Sequence, residues 1–302
     1  MLLACGPGGD ADPSAGPGSA AGEDAAPALA PTPSTDIWVA DLTVDGNGVL
    51  SLGEAMNVTQ RPGYDNQPFF LEAGQGFWYT TIDELGEADI WLHDLATGSN
   101  GPVTSTAPES EYSATPAPMG GFTAIRVEAD STQRLWHFDV DGGNGQVLFP
   151  DLAPVGYHAW AAQDTVVMYV LGNPATLRVG ILSSGEVTTH AENIGRSMHR
   201  IPGTTDVSFV QRVSAEESWI SRLDPATGEQ ERLIEAMEGG DFHAWTPDGV
   251  LLMGHQNRLY AWRPGDEGDW EEVGVLDDGL SISRLAVSML GKVAIVGLVS
   301  GG

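Results

Sequence analysis

Cysteine and lysine are almost missing from this 302-residue chain: Cys5 and Lys292 are the only examples of each. A lone cysteine excludes an intramolecular disulfide and any cysteine-based zinc motif. Basic side chains number 13 against 42 acidic ones, a formal net charge of −29. That balance excludes nucleic acid as a partner, because phosphate binding draws on clustered positive charge. No stretch approaches the ~18 consecutive apolar residues of a membrane-spanning helix. Helical periodicity is nearly absent, and so are the Gly-x-Ser-x-Gly elbow, His-Glu-x-x-His, the P-loop and the dinucleotide-binding glycine motif.

What is present is enough apolar material for a core, with 41% hydrophobic and 8% aromatic residues. The first six residues, Met1-Leu2-Leu3-Ala4-Cys5-Gly6, resemble the end of a bacterial lipoprotein signal peptide, which makes Cys5 a candidate for lipidation and a lipid anchor. A Gly/Ala/Pro/Asp stretch then runs to Ser34 with almost no large apolar residue, the composition of a disordered tether. The expected division is a tether over 1–35 and a folded domain over 36–302.

Inside that domain a short pattern recurs six times. Its clearest copies are Asp36-Ile37-Trp38-Val39-Ala40-Asp41, Asp89-Ile90-Trp91-Leu92-His93-Asp94 and Arg134-Leu135-Trp136-His137-Phe138-Asp139, and weaker ones begin at Thr176, Trp219 and Arg258. The spacings are 53, 45, 42, 43 and 39 residues, near the ~40–45 of a propeller blade and longer than the ~34 of a helical hairpin. Two further strand-like segments belong to each repeat. The first begin at Asn66, Tyr112, Tyr157, Met198, Phe242 and Ile282, and the second at Gly76, Phe122, Thr165, Asp206, Val250 and Lys292. Turn signals such as Asp141-Gly142-Gly143 and Ala226-Thr227-Gly228 lie between them. The copy at Asp36 has no strands before it, and the pair at Ile282 and Lys292 has no third strand after it. The halves complement each other, which predicts an all-β, six-bladed β-propeller whose N-terminal strand closes the last blade.

Ala244-Trp245-Thr246-Pro247-Asp248-Gly249 resembles the Trp-Ser-Pro-Asp-Gly signature of the TolB-like, or PD40, propeller repeat, and Asp89 to Gly98 resembles its third strand and turn. The resemblance implies an envelope-associated, usually non-enzymatic binding scaffold, and together with the start at Met1 to Gly6 it predicts a lipid-anchored or periplasmic location.

Aligning the first strands sets Pro68, Ala114, His158, His199, His243 and Ser283 at equivalent positions. Three imidazoles at one level of a central channel could converge on a divalent metal or an anionic ligand. Alternatively each packs between blades and bonds a neighbour, with strand pleating deciding the outcome. Arg200 and Arg284 follow His199 and Ser283, so inward-packed histidines would turn these arginines to the channel, where a guanidinium could take a carboxylate or phosphate. Trp38, Trp91, Trp136, Trp160 and Trp245 read as core between blades. Asp45 to Gly48 and Asp139 to Gly142 are short of a calcium loop and read as hairpin turns.

The leading expectation is a monomeric, non-catalytic scaffold that needs no cofactor and binds a protein or peptide of the cell envelope. The alternative is a metal-dependent enzyme or small-ligand binder built on the histidines at the channel.

Overall fold

The computed structural model describes residues 34–299 except 47, 72, 73 and 267. Cys5 and the segment from it to residue 33 lie outside the described residues. Among the described residues every regular element is a strand, and no helix is long and apolar enough to cross a membrane.

Four sheets are four-stranded antiparallel meanders. One holds Ser110–Pro116, Phe122–Val127, Gln133–Phe138 and Gln146–Val147, and the next Val155–Ala162, Thr165–Val170, Thr176–Ile181 and Glu186–Glu192. The third holds Ile194–Arg200, Val207–Arg212, Ser218–Leu223 and Gln230–Glu235, and the fourth His243–Trp245, Leu251–His255, Arg258–Trp262 and Glu271–Val275. A larger sheet joins both ends of the domain: Thr35–Val44 pairs antiparallel with Lys292–Val299, in register from Thr35 opposite Leu298 to Asp41 opposite Lys292. The complementary halves therefore do join. A Lys292 Nζ to Asp41 Oδ1 contact of 2.6 Å fastens the seam. Tyr64–Phe70, Gly76–Ile82, Ala88–Asp94 and Asn100–Pro102 form the other part of this sheet, linked to Thr35–Val44 by a single parallel bridge between Thr35 and Tyr64.

The second strand of each repeat explains the packing. Successive strand residues point to opposite faces, yet Val166, Val167 and Met168 are all fully buried, as are Leu251, Leu252 and Met253. Each sheet is thus covered on both faces, and continuous apolar runs replace the alternation of a half-exposed strand. The cores lie between neighbouring sheets: Tyr112, Ile125 and Leu135 pack against Trp160, Val166 and Met168, and Ala159 and Val167 against Met198 and Phe209. Each buried Val, Leu, Ile, Met or Phe side chain among them contributes about 1.5–3 kcal/mol. Outer strands are different. Glu186–Glu192 and Gln230–Glu235 are largely exposed and polar, so they lack the apolar pattern that marks the other three.

The first strands touch in sequence order, from Tyr64–Phe70 through Ser110–Pro116, Val155–Ala162, Ile194–Arg200 and His243–Trp245 to Leu280–Val287, which returns to Tyr64–Phe70. They form the wall of a central cavity.

Candidate functional site

The cavity has a volume of about 880 Å³ and is walled by these inner strands and the turns that follow them. His158, His199, His243, Arg200 and Arg284 all contribute to its lining. Their roles differ, because the inner strands are bulged. Register shifts interrupt pairing between Asn66 and Phe69, Tyr112 and Thr115, Val155 and Tyr157, Ile194 and Met198, and Ile282 and Arg284. A bulge re-aims the side chains beyond it, so strict alternation fails here. Gln67 (φ 59°) and Ser113 (φ 57°) are left-handed at two of these bulges, and Gln67 Oε1 accepts hydrogen bonds from Ser113 N, Ser113 Oγ and Thr80 Oγ1 at 2.8–2.9 Å. That network ties adjacent inner strands together.

His158 and His243 are buried in the seams between sheets. Nε2 of His158 lies 2.7 Å from Thr123 Oγ1, and the same hydroxyl accepts from Trp160 Nε1 at 2.9 Å. Nε2 of His243 lies 2.7 Å from Ser208 Oγ, which accepts from Trp245 Nε1 at 2.8 Å. Both clamps have one construction: a His-x-Trp inner strand grips a hydroxyl on the second strand of the preceding sheet. Nδ1 of each histidine is buried without a partner, so a second proton would find no acceptor. Burial accordingly holds the His158 pKa down, at about 3. His243 is driven well below its ordinary value by burial and then by the neighbouring His199.

His199 is half-buried and packs edge-on against His243, with ring centroids 5.2 Å apart. Burial and then the positive charge of Arg284 lower its pKa to about 4. The sequence alignment had placed the three imidazoles at one level. The structure pairs His199 with His243 and commits His158 to a different seam, and among the described residues no group of three or more His, Cys, Asp or Glu side chains is arranged to hold a metal ion. Arg200 ends its strand exposed, with Nε donating to Thr204 O at 2.6 Å. Arg284 lies over the Phe242 ring at 4.0 Å and the Tyr157 ring at 5.2 Å, and its Nη2 donates to Tyr157 Oη at 3.4 Å.

Tyr157, Phe242 and Arg196 also line the cavity, and sequence reasoning missed them. A signal existed: Tyr157 and Phe242 directly precede His158 and His243, so once the histidines are seam residues the aromatics fall on the opposite face. The tryptophans are core as expected, with Trp160 and Trp245 buried and Trp38, Trp91 and Trp136 half-buried against hydrophobic clusters. Asp139 opens a hairpin turn in which Gly142 N donates to its carbonyl at 2.9 Å. Gly48 N donates to Asp45 O at 3.0 Å in the same way.

No protein-family model matches the chain, and no curated protein sequence matches it significantly. Solved structures do. A TolB-type protein from Agrobacterium tumefaciens superposes with a TM-score of 0.67 at 14% identity, over 88% of this chain and 98% of the other. TolB from Acinetobacter baumannii gives 0.56 at 13% identity, over 87% of this chain and 63% of that one. The fold is that of a TolB-like β-propeller. Within that fold the sheets are blades and the cavity is the propeller's central channel. An oligogalacturonate lyase in complex with manganese shares the architecture, with a TM-score of 0.53 at 14% identity over 87% of this chain and 78% of the other. The same architecture thus occurs in TolB proteins and in an enzyme, and function must be argued from the site.

Proposed function

We propose that this chain is a non-catalytic, six-bladed propeller scaffold of the bacterial cell envelope that binds a protein or peptide partner at the mouth of its central cavity. Six blades follow from taking the single Thr35 to Tyr64 bridge as the boundary between two blades of the largest sheet. The envelope placement draws on the resemblance to TolB-like propellers and on the lipoprotein-like start at Met1 to Gly6, with Cys5 as the lipidated residue.

The observation that carries the reading is the apolar rim. Met289, Leu290 and Met119 are 64%, 70% and 41% exposed. They sit in turns joining first to second strands, the class of turn that supplies Pro118, Gly203, Pro247 and Met289 to the cavity mouth. Exposed methionines at a rim suit a partner surface, because an unbranched, polarisable side chain adapts to what it meets.

The test is in-cell photo-crosslinking with p-benzoylphenylalanine placed at Met119 or Met289, against Leu85 and Val213 in turns at the opposite edge of the sheets. Discrete protein adducts at the first pair and none at the second are expected. Equal labelling at both faces, or none at the mouth, removes the proposal. Lipid labelling that is lost in Cys5→Ser, with release from the membrane fraction, checks the anchor in the same strain.

A further inference from the structure

The central cavity is cationic inside a strongly anionic protein. Eight of the twelve arginines, Arg61, Arg126, Arg134, Arg212, Arg222, Arg232, Arg258 and Arg263, lie within 4.0 Å of a carboxylate oxygen. Of the four that have no such partner among the described residues, Arg196, Arg200 and Arg284 line the cavity. Among the described residues no Asp or Glu lines it, although acids outnumber bases 42 to 13 in the chain.

Arg284 is the most confined of the three. Its Nε is buried with no hydrogen-bond partner, and the long 3.4 Å contact to Tyr157 Oη is the one hydrogen bond its guanidinium makes among the described residues. A partly desolvated charge without a counter-ion is costly, and a bound anion would offset that cost. The Arg284 Cζ lies 4.0 Å from the centroid of the Phe242 ring, and the terminal N–H groups of the guanidinium are the donors an oxyanion would take. The field of Arg284 reaches His199, whose pKa it helps lower. Aromatic and apolar side chains, among them Tyr157, Phe242, Leu285 and Ala286, make up much of the remaining wall. A volume of about 880 Å³ falls within the ~300–1,000 Å³ of small-molecule pockets.

We infer that the central cavity is a binding site for a small organic anion, whose carboxylate or phosphate is anchored by Arg284 and whose apolar body rests on the aromatic wall. This inference does not rest on the protein-partner reading. A partner could dock at the rim with the cavity empty, and the cavity could bind with no partner.

Isothermal titration calorimetry on the full chain with benzoate, citrate and phenyl phosphate tests it, with benzyl alcohol as the uncharged comparison. At least one anion is expected to bind with one-to-one stoichiometry, benzyl alcohol to bind at least about tenfold more weakly, and Arg284→Gln to lose about tenfold or more in affinity. Arg178→Gln, an arginine without a carboxylate partner outside the cavity lining, is expected to bind as the parent does. Tighter benzoate or citrate identifies a carboxylate site, and tighter phenyl phosphate a phosphate site. Circular dichroism confirms that each variant is folded. Should Arg284→Gln misfold, Arg284→Lys, which keeps the charge but loses the planar fork, takes its place with a loss in the same direction. No binding by any of the three anions, or equal affinity in the Arg284 variant, overturns the inference.

Discussion

The strand Val155–Ala162 serves two regions at once. His158 turns into the seam between blades, while Tyr157, one residue earlier, faces the cavity and lies under Arg284. In the seam, hydroxyl, indole and imidazole bond one another in a buried interface. On the cavity wall, Arg284 stands over aromatic rings with no carboxylate partner among the described residues. The difference separates stability from binding: polar groups bonded to one another hold blades together, and polar groups without protein partners remain available to something else.

The largest expected effect is in the seam. Thr123→Val and Ser208→Ala keep the packing but leave an indole N–H and an imidazole nitrogen buried without their common partner. Each is expected to cost about 1–3 kcal/mol, read from the urea midpoint, and a cost near zero in both would mean that the clamps do not hold the blades.

Acid sharpens the same contrast. His158 and His199 have folded pKa values of about 3 and about 4 against an ordinary value of 6.5. Between those values the unfolded chain takes up protons that the native seam refuses. Stability that is complete above pH ~6.5 is therefore lost as pH falls toward the folded values. Asp65, Asp89 and Glu111, raised by burial, act in the opposite sense as the carboxylate range is approached, so the interval just below pH 6.5 reads the histidines best. Urea midpoints measured from pH 7 to 5 are expected to fall, with a shallower slope in His158→Gln; an identical slope in that variant would assign the acid sensitivity elsewhere.

The smallest effect belongs to the wall. Arg284→Gln removes a charge that no carboxylate neutralises, so thermal stability is expected to stay within about 0.5 kcal/mol of the parent or to rise. A loss as large as the seam variants show would make Arg284 a structural residue and merge the two regions into one.

Much of the architecture was legible in the chain. The second strands announced themselves through runs such as Thr165 to Leu171, since burial on both faces writes continuous apolar sequence. The incomplete repeats at Asp36 and Lys292 foretold their pairing, later seen in register. The outer strands were not legible: Glu186–Glu192 is a largely exposed edge with only Val187 and Ala191 packed against the cores, too few to write an apolar pattern. In the candidate site, His158, His199 and His243 all contribute to the cavity lining, but their shared position suggested one level and one purpose. His158 and His243 do share one construction, each with a tryptophan two residues on, whereas His199 is followed by Arg200 and Ile201 and packs against His243 instead.

By itself the sequence determined the repeat length, the all-β character and the closure of the ring, because periodicity and turn chemistry are local and each repeat writes them again. Only the tertiary structure decided which face each inner-strand side chain takes and which arginines find a carboxylate. Those outcomes depend on bulges and on neighbours contributed by other blades, from Tyr157 to Arg284 across 127 residues, and no local pattern encodes a contact at that distance.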